Sequence, residues 1–165
     1  MQYNKKSIVA DTSPLIGLAK INHLDLLPEL FVEVIVPKQV ALECIHDLEK
    51  PDAVLLKAAI EQKILKVKNI EITASELEFL LDPGELAAIE LAKKLAYPIL
   101  LDDKQGRLIA SSYGLSVTGL GGVLLLAKQR KLIQKIKPSL NELEANHYFL
   151  GNKFVTHVLS LAHEL

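Results

Sequence analysis

At 165 residues the chain is long enough for one full hydrophobic core and too short for two ordinary domains, so one domain over residues 1–165 is expected. Half the residues are apolar, but Trp is absent and only 5% are aromatic, so the core has to be Leu, Ile, Val and Ala. A net charge of −1 argues against nucleic-acid binding through bulk charge, and a single cysteine excludes an internal disulfide framework and fits a reducing compartment.

The N-terminus, Met1 to Lys6, lacks the apolar stretch of a signal peptide, and the longest apolar run, Val123 to Ala127, is far below membrane-spanning length. The expectation is a soluble, cytoplasmic protein without membrane contact. Ile8, Val9 and Ala10 then form an apolar run without polar alternation, which suits a strand buried on both faces of a parallel sheet. Asp11 follows where that strand should end. Thr12 and Ser13 can cap a helix and Pro14 can open it, so Asp11 either helps start the helix or projects its carboxylate at the edge where open α/β sheets keep their sites.

Two short helices, Pro14 to Lys20 and Leu24 to Leu30, precede a second strand from Val32 to Pro37. The next helix carries Val40, Ala41, Cys44, Ile45 and Leu48 at helical spacing, with Glu43 near its start; Cys44 in that pattern reads as a packed thiol rather than a nucleophile. Asp52 to Gln62 is a further amphipathic helix with Leu55, Leu56, Ala59 and Ile60. Ile64 to Val67 is a short edge strand guarded by Lys66 and Lys68.

The clearest helix start is Asp82, Pro83, Gly84, Glu85. Asp82 and Glu85 satisfy a capping pattern without any catalysis, whereas Gly84 costs helix propensity and leaves room for a close approach beside Glu85. Ile99, Leu100 and Leu101 run straight into Asp102 and Asp103, paired acids that repel unless a cation or donors compensate. Asp103 can cap the helix from Lys104 to Tyr113, and Arg107, one turn later, can pair with Asp103 or reach a phosphate. A last strand from Leu115 to Thr118 leads through Gly119, Gly121 and Gly122 to a helix from Val123 to Lys131. Those glycines lack the lysine of a P-loop and the dinucleotide spacing, although the helix start still offers backbone donors to an anion. Lys128, Arg130, Lys131, Lys135 and Lys137 read as a solvated helix end. Residues 138–165 form two closing helices, the last with Phe154, Val155, Val158, Leu159 and Leu161 on one face. The five histidines show no metal-ligand spacing.

Strand and helix alternate throughout, which implies a parallel sheet covered by helices on both faces. Such a sheet gathers Asp11, Glu43, Glu85 and Asp102 at one edge. Converging carboxylates call for hard divalent cations, Mg²⁺ or Mn²⁺, and metal-held carboxylates suit phosphodiester hydrolysis. An aspartic protease, suggested by Asp11, Thr12 and Ser13, would need a second such segment in an all-β chain, and neither is present.

Taken together, Asp11 to Ile16, Val36 and Pro37 with Val40 and Glu43, Pro83 to Ile89 with Leu91 and Ala92, Leu100 to Asp103 with Gly106, Arg107 and Ala110, and Val117 to Gly119 with Gly122 to Leu124 resemble the PIN-domain superfamily. The nearest branch is the domain family DUF3368, related to the VapC toxins, over about residues 7–145. The resemblance implies a three-layer α/β/α sandwich with a five-stranded parallel sheet and an Mg²⁺- or Mn²⁺-dependent ribonuclease. Asp11, Glu43 and Glu85 would be the first three acids and Asp102 or Asp103 the acid after the fourth strand. Thr12 and Ser13 would orient Asp11 or a metal-bound water. The sequence departs from the family pattern in carrying Glu85 where Asp is commoner and paired aspartates after the fourth strand. The resemblance further implies homodimers and, for toxin members, an antitoxin that blocks the cleft. The alternative is a catalytically weak or inactive PIN module that binds nucleic acid or protein.

Overall fold

A computed structural model describes residues 4–73, 78 and 80–165, so the reading of Met1 to Tyr3 lies outside the described residues. The chain runs through strand β1 (Lys6–Ala10), helices α1 (Thr12–Lys20) and α2 (Leu26–Leu30), β2 (Phe31–Pro37), α3 (Lys38–Cys44), α4 (Pro51–Glu61) and β3 (Leu65–Lys68). It continues with α5 (Pro83–Leu95), β4 (Ile99–Leu100), α6 (Lys104–Ser112), β5 (Val117–Thr118), α7 (Leu120–Gln129), α8 (Lys137–Ala145) and α9 (Asn152–Leu161). The five strands form one parallel sheet in the order β3-β2-β1-β4-β5. Helices cover it, giving the three-layer α/β/α arrangement expected from strand and helix alternation.

β1 lies at the centre because its last three residues, Ile8, Val9 and Ala10, are buried and pair on both sides, with Val34 and Ile35 in β2 and with Ile99 and Leu100 in β4. The chain first winds outward from β1 through β2 to β3 and then returns to lay β4 on the other side of β1. This reversal makes the carboxyl ends of β1 and β4 the switch point of the sheet, where the connecting segments diverge and leave a crevice. The ladder runs past the named strands there: the Asp11 amide donates to Leu100 at 2.9 Å and the Leu101 amide to Thr118 at 2.9 Å. Asp11 and Asp102 therefore sit at adjacent strand ends. α5 packs on β1, β2 and β4, beside α3 and α6, while α7 meets α1, α2 and α9.

Several local expectations shift. α1 begins at Thr12, so Pro14 lies inside its first turn and Asp11 takes the cap position. α3 stops at Cys44, where the Ile45 amide turns back to Ala41 and the His46 amide to Glu43; Leu48 falls in the following turn and is exposed. Leu55 and Leu161 are also exposed, each at the margin of an otherwise buried helix face. β3 is the edge strand expected, with Leu65 buried and Lys66 paired to Glu33 at 3.1 Å.

A further difference concerns the glycines after β5. α7 starts at Leu120, not Val123, so Gly121 and Gly122 lie in its first turn. A Cβ on Gly121 would come within 2.8 Å of the Phe154 ring and within 3.0 Å of Val158, and one on Gly122 within 2.8 Å of Thr118. These glycines are packing devices that bring α9 and β5 against α7. The helix stops are alike. Asn22, Lys63, Ala96, Lys131, His147 and His163 all have positive φ and all follow a helix, with paired bonds such as His147 to Glu144 and Tyr148 to Leu143 that define the Schellman turn.

Candidate active site

The switch-point crevice opens as two neighbouring hollows. The larger, of about 540 Å³, is lined by Asp11, Ser13, Glu85, Asp102, Asp103 and Arg107 together with the segment His147 to Gly151. The smaller, of about 360 Å³, is lined by Asp11, Thr12, Ser13, Glu43, Asp82, Glu85 and Tyr148. All eight residues singled out from the sequence line one or both, although they come from four separated stretches. A parallel sheet places the carboxyl ends of its strands side by side, which is why distant segments meet here.

Asp11 is 3% exposed. It occupies the cap position of α1 without making a side-chain capping bond, and its Oδ1 is buried without any hydrogen-bond partner. Burial pushes its carboxyl up to about 7; the Thr12 amide opposes this, and the charges of Asp82, Glu43 and Asp103 add to it. Helix initiation alone does not explain such a group, because a capping carboxylate would spend its oxygens on amides.

Asp102 is the second such carboxylate. Its Oδ1 accepts from the Leu120 amide at 3.0 Å, while Oδ2 is buried and unpartnered. Burial raises its carboxyl, opposed by the Leu120 amide, the Arg107 charge and the nearby Tyr148 hydroxyl, whose own hydrogen bonds in the structure go to Ser13 and leave Oδ2 without a donor. A Cβ on Gly119 would collide with Asp102 Oδ1 and reach Arg107 Nη1 at 2.9 Å, so the glycine is needed for this close approach. The anion greeted by the start of α7 is thus a carboxylate of the same chain. Asp103, by contrast, caps α6 by accepting from the Gly106 amide at 2.8 Å, and its exposed carboxylate borders the hollow. The Arg107 charge acts on Asp102 and lowers its carboxyl.

Glu43 accepts from the Thr12 hydroxyl at 2.7 Å. Its carboxylate lies where a side chain on residue 84 would be, since a Cβ on Gly84 would sit 2.5 Å from Oε1 and 2.8 Å from Oε2. Gly84 therefore admits Glu43, and the close approach expected there involves the second acid rather than Glu85 itself. Asp82 caps α5 through the Glu85 amide at 2.8 Å. The Glu85 side chain faces both hollows, and burial with the adjoining Asp82, Asp103 and Asp11 raises its carboxyl to about 8.

The hydroxyls expected to orient Asp11 or a metal-bound water have partners within the chain. Thr12 holds Glu43, and Ser13 Oγ lies 2.9 Å from the Tyr148 hydroxyl. Tyr148 and Asp82 also line the hollows, and no sequence pattern marks either as a site residue. Nothing near Tyr148 signals it, because it lies 135 positions from Ser13; burial holds its hydroxyl protonated, up to about 12. The sequence pattern marks Asp82 only as a cap. Cys44 is buried, and burial beside Glu43 pushes its thiol up to about 12, which leaves it an inert packed group.

Among the described residues, no three His, Cys, Asp or Glu side chains are already drawn together as a metal cage. The donor set nevertheless suits a hard cation: oxygen ligands only, two of them buried acceptors that receive no hydrogen bond. Lys128 pairs with Glu164 in the last turn of α7, at the other end from Leu120, and among the described residues lining the hollows Arg107 is the one permanent cation.

A five-stranded parallel α/β/α sheet with its acids gathered at the switch point defines the nuclease-type fold of PIN domains, which generally use divalent metals and bind nucleic acids. The chain belongs to the DUF3368 family of PIN domains, whose model matches residues 7–164 and so takes in the closing helices as well. No curated protein matches it. No helix among the described residues is long and apolar enough to cross a membrane.

Proposed function

We propose that the protein is a metal-dependent endoribonuclease that hydrolyses RNA phosphodiester bonds in this crevice. The observation that carries the reading is the pair of buried carboxylate oxygens, Asp11 Oδ1 and Asp102 Oδ2, left without donors at adjacent strand ends. An unpaired buried acceptor costs about 1–3 kcal/mol, a cost that a bound dication removes. Asp11 and Asp102 would hold Mg²⁺ or Mn²⁺, with Glu85, Glu43 and Asp103 completing the oxygen set. Such an ion supplies an activated water at neutral pH and offsets charge on the leaving oxygen. The chain's own groups position: Thr12 fixes Glu43, the Leu120 amide and Arg107 fix Asp102, and Arg107 meets a phosphate at the hollow's wall.

The test is cleavage of a synthetic RNA with Mn²⁺. Asp11→Asn should abolish cleavage while leaving the circular dichroism spectrum unchanged; equal cleavage by the variant overturns the proposal. One observation favours a second reading, a binding module of weak or no activity: Glu43 and Asp102 already spend an oxygen each on donors within the chain. Calorimetry separates the two, since failure to bind Mn²⁺ at millimolar concentration would select the binding module.

A further inference from the structure

The segment after α8 puts an aromatic ring at the mouth of the acidic crevice for which the fold has no use. Phe149 is 78% exposed, yet it shares the walls of the larger hollow with Asp11, Asp102 and Arg107. It is held there firmly. The Schellman turn at His147 ends α8, with Tyr148 N donating to Leu143 at 2.9 Å, and the Tyr148 hydroxyl is tied to Ser13. The Tyr148 ring rests where α1 has Gly17, at which a Cβ would come within 3.2 Å of the ring. Tyr148 thus anchors the segment inward while Phe149 stays in solvent beside the His147 ring, 6.3 Å away and tilted by 56°.

We propose that Phe149 is a stacking platform for an unpaired nucleobase at the mouth of the crevice. The inference rests on the ribonuclease reading and adds to it a residue that holds a base of the substrate. With Arg107 as the one permanent cation among the described lining residues, counterion release contributes little to binding. Stacking on an aromatic face supplies affinity that needs no positive charge, and it demands a base not already stacked in a duplex. An exposed phenylalanine beside the acids that would face the scissile phosphate meets both conditions.

Phe149→Trp puts the first tryptophan into a sequence that has none, at the platform itself. With Ca²⁺ in place of Mn²⁺, so that RNA stays intact, a short single-stranded RNA should quench its fluorescence saturably. An abasic ribose-phosphate oligomer of the same length and a duplex should not. In the Mn²⁺ cleavage assay, Phe149→Ala should raise KM for single-stranded RNA about 10-fold, and Phe149→Tyr should restore it. Quenching as strong with the abasic oligomer, or an unchanged KM in Phe149→Ala, overturns the platform while leaving the ribonuclease reading intact. Base-dependent quenching in a protein that cleaves nothing upholds the platform and removes the ribonuclease reading. A tryptophan unresponsive to every RNA overturns the platform.

Discussion

Asp11 is a carboxylate held almost out of water with one oxygen unpartnered and its carboxyl pushed up to about 7. An acid whose pKa rises on folding costs nothing below its ordinary value near 4, where both states are protonated. The cost grows as pH rises and is complete above about 7. For Asp11 it amounts to roughly 3–5 kcal/mol at about 1.36 kcal/mol per pH unit. In the presence of a chelator, stability measured by urea unfolding should therefore fall between pH 4 and 8, and Asp11→Asn should remove the share of that fall that Asp11 carries, the raised carboxyls of Glu85 and Asp102 keeping the rest. Added Mn²⁺ should stabilise the native protein more at pH 8 than at pH 5, because protons compete for the same oxygen. A variant as pH-dependent as the native protein would show that Asp11 is not the strained group. The position of Asp11 after an apolar run was legible in the sequence, but its burial was not, since that depends on β2 and β4 flanking β1.

At the level of single elements, α5 shows a local rule yielding to a distant contact. Glycine within the first turn of a helix lowers its propensity by about 1 kcal/mol relative to alanine. Gly84 is kept where a Cβ would meet both oxygens of Glu43. Gly84→Ala should therefore leave stability within about 1 kcal/mol of the native protein, with helix propensity gained and the Thr12–Glu43 hydrogen bond lost. Cleavage should fall about 10-fold or more as the carboxylate is displaced. Loss of stability with full activity would place Glu43 outside the machinery. The capping role of Asp82 was readable because it is spelled within four residues. The partner of Gly84 was not, because Glu43 lies on another helix. The glycines opening α7 show the same limit: the sequence offers their helix start to an anion, while only packing reveals that the groups against Gly121 and Gly122 are Phe154, Val158 and Thr118.

Across the molecule, the C-terminal segment closes the fold onto the layer that carries the site. The turn after α9 brings Glu164 back to accept from the Ile136 and Lys137 amides and to pair with Lys128 at 2.9 Å. The Ile136 and Lys137 amides and Lys128 hold its carboxyl well below the ordinary range, down to about 2, against the opposing effect of burial. An acid whose pKa is lowered on folding stabilises above its ordinary value, and that contribution is lost as pH falls towards about 2. Glu164→Gln should lower the melting temperature at neutral pH, removing a charge-assisted contact worth about 1.5 kcal/mol or more, with the difference from the native protein narrowing below pH 4. A constant difference across that range would mean that the amides, not the charge, hold the turn. Sequence alone determined the alternation of strand and helix, the burial of β1, the caps and the acids that fall at strand ends, because each is written in contiguous residues and a short period. Tertiary structure decided which oxygens are orphaned, which hydroxyl serves which acid, and that Tyr148 and Phe149 border the crevice. These depend on side chains brought together from up to 135 positions apart, for which a linear pattern has no term.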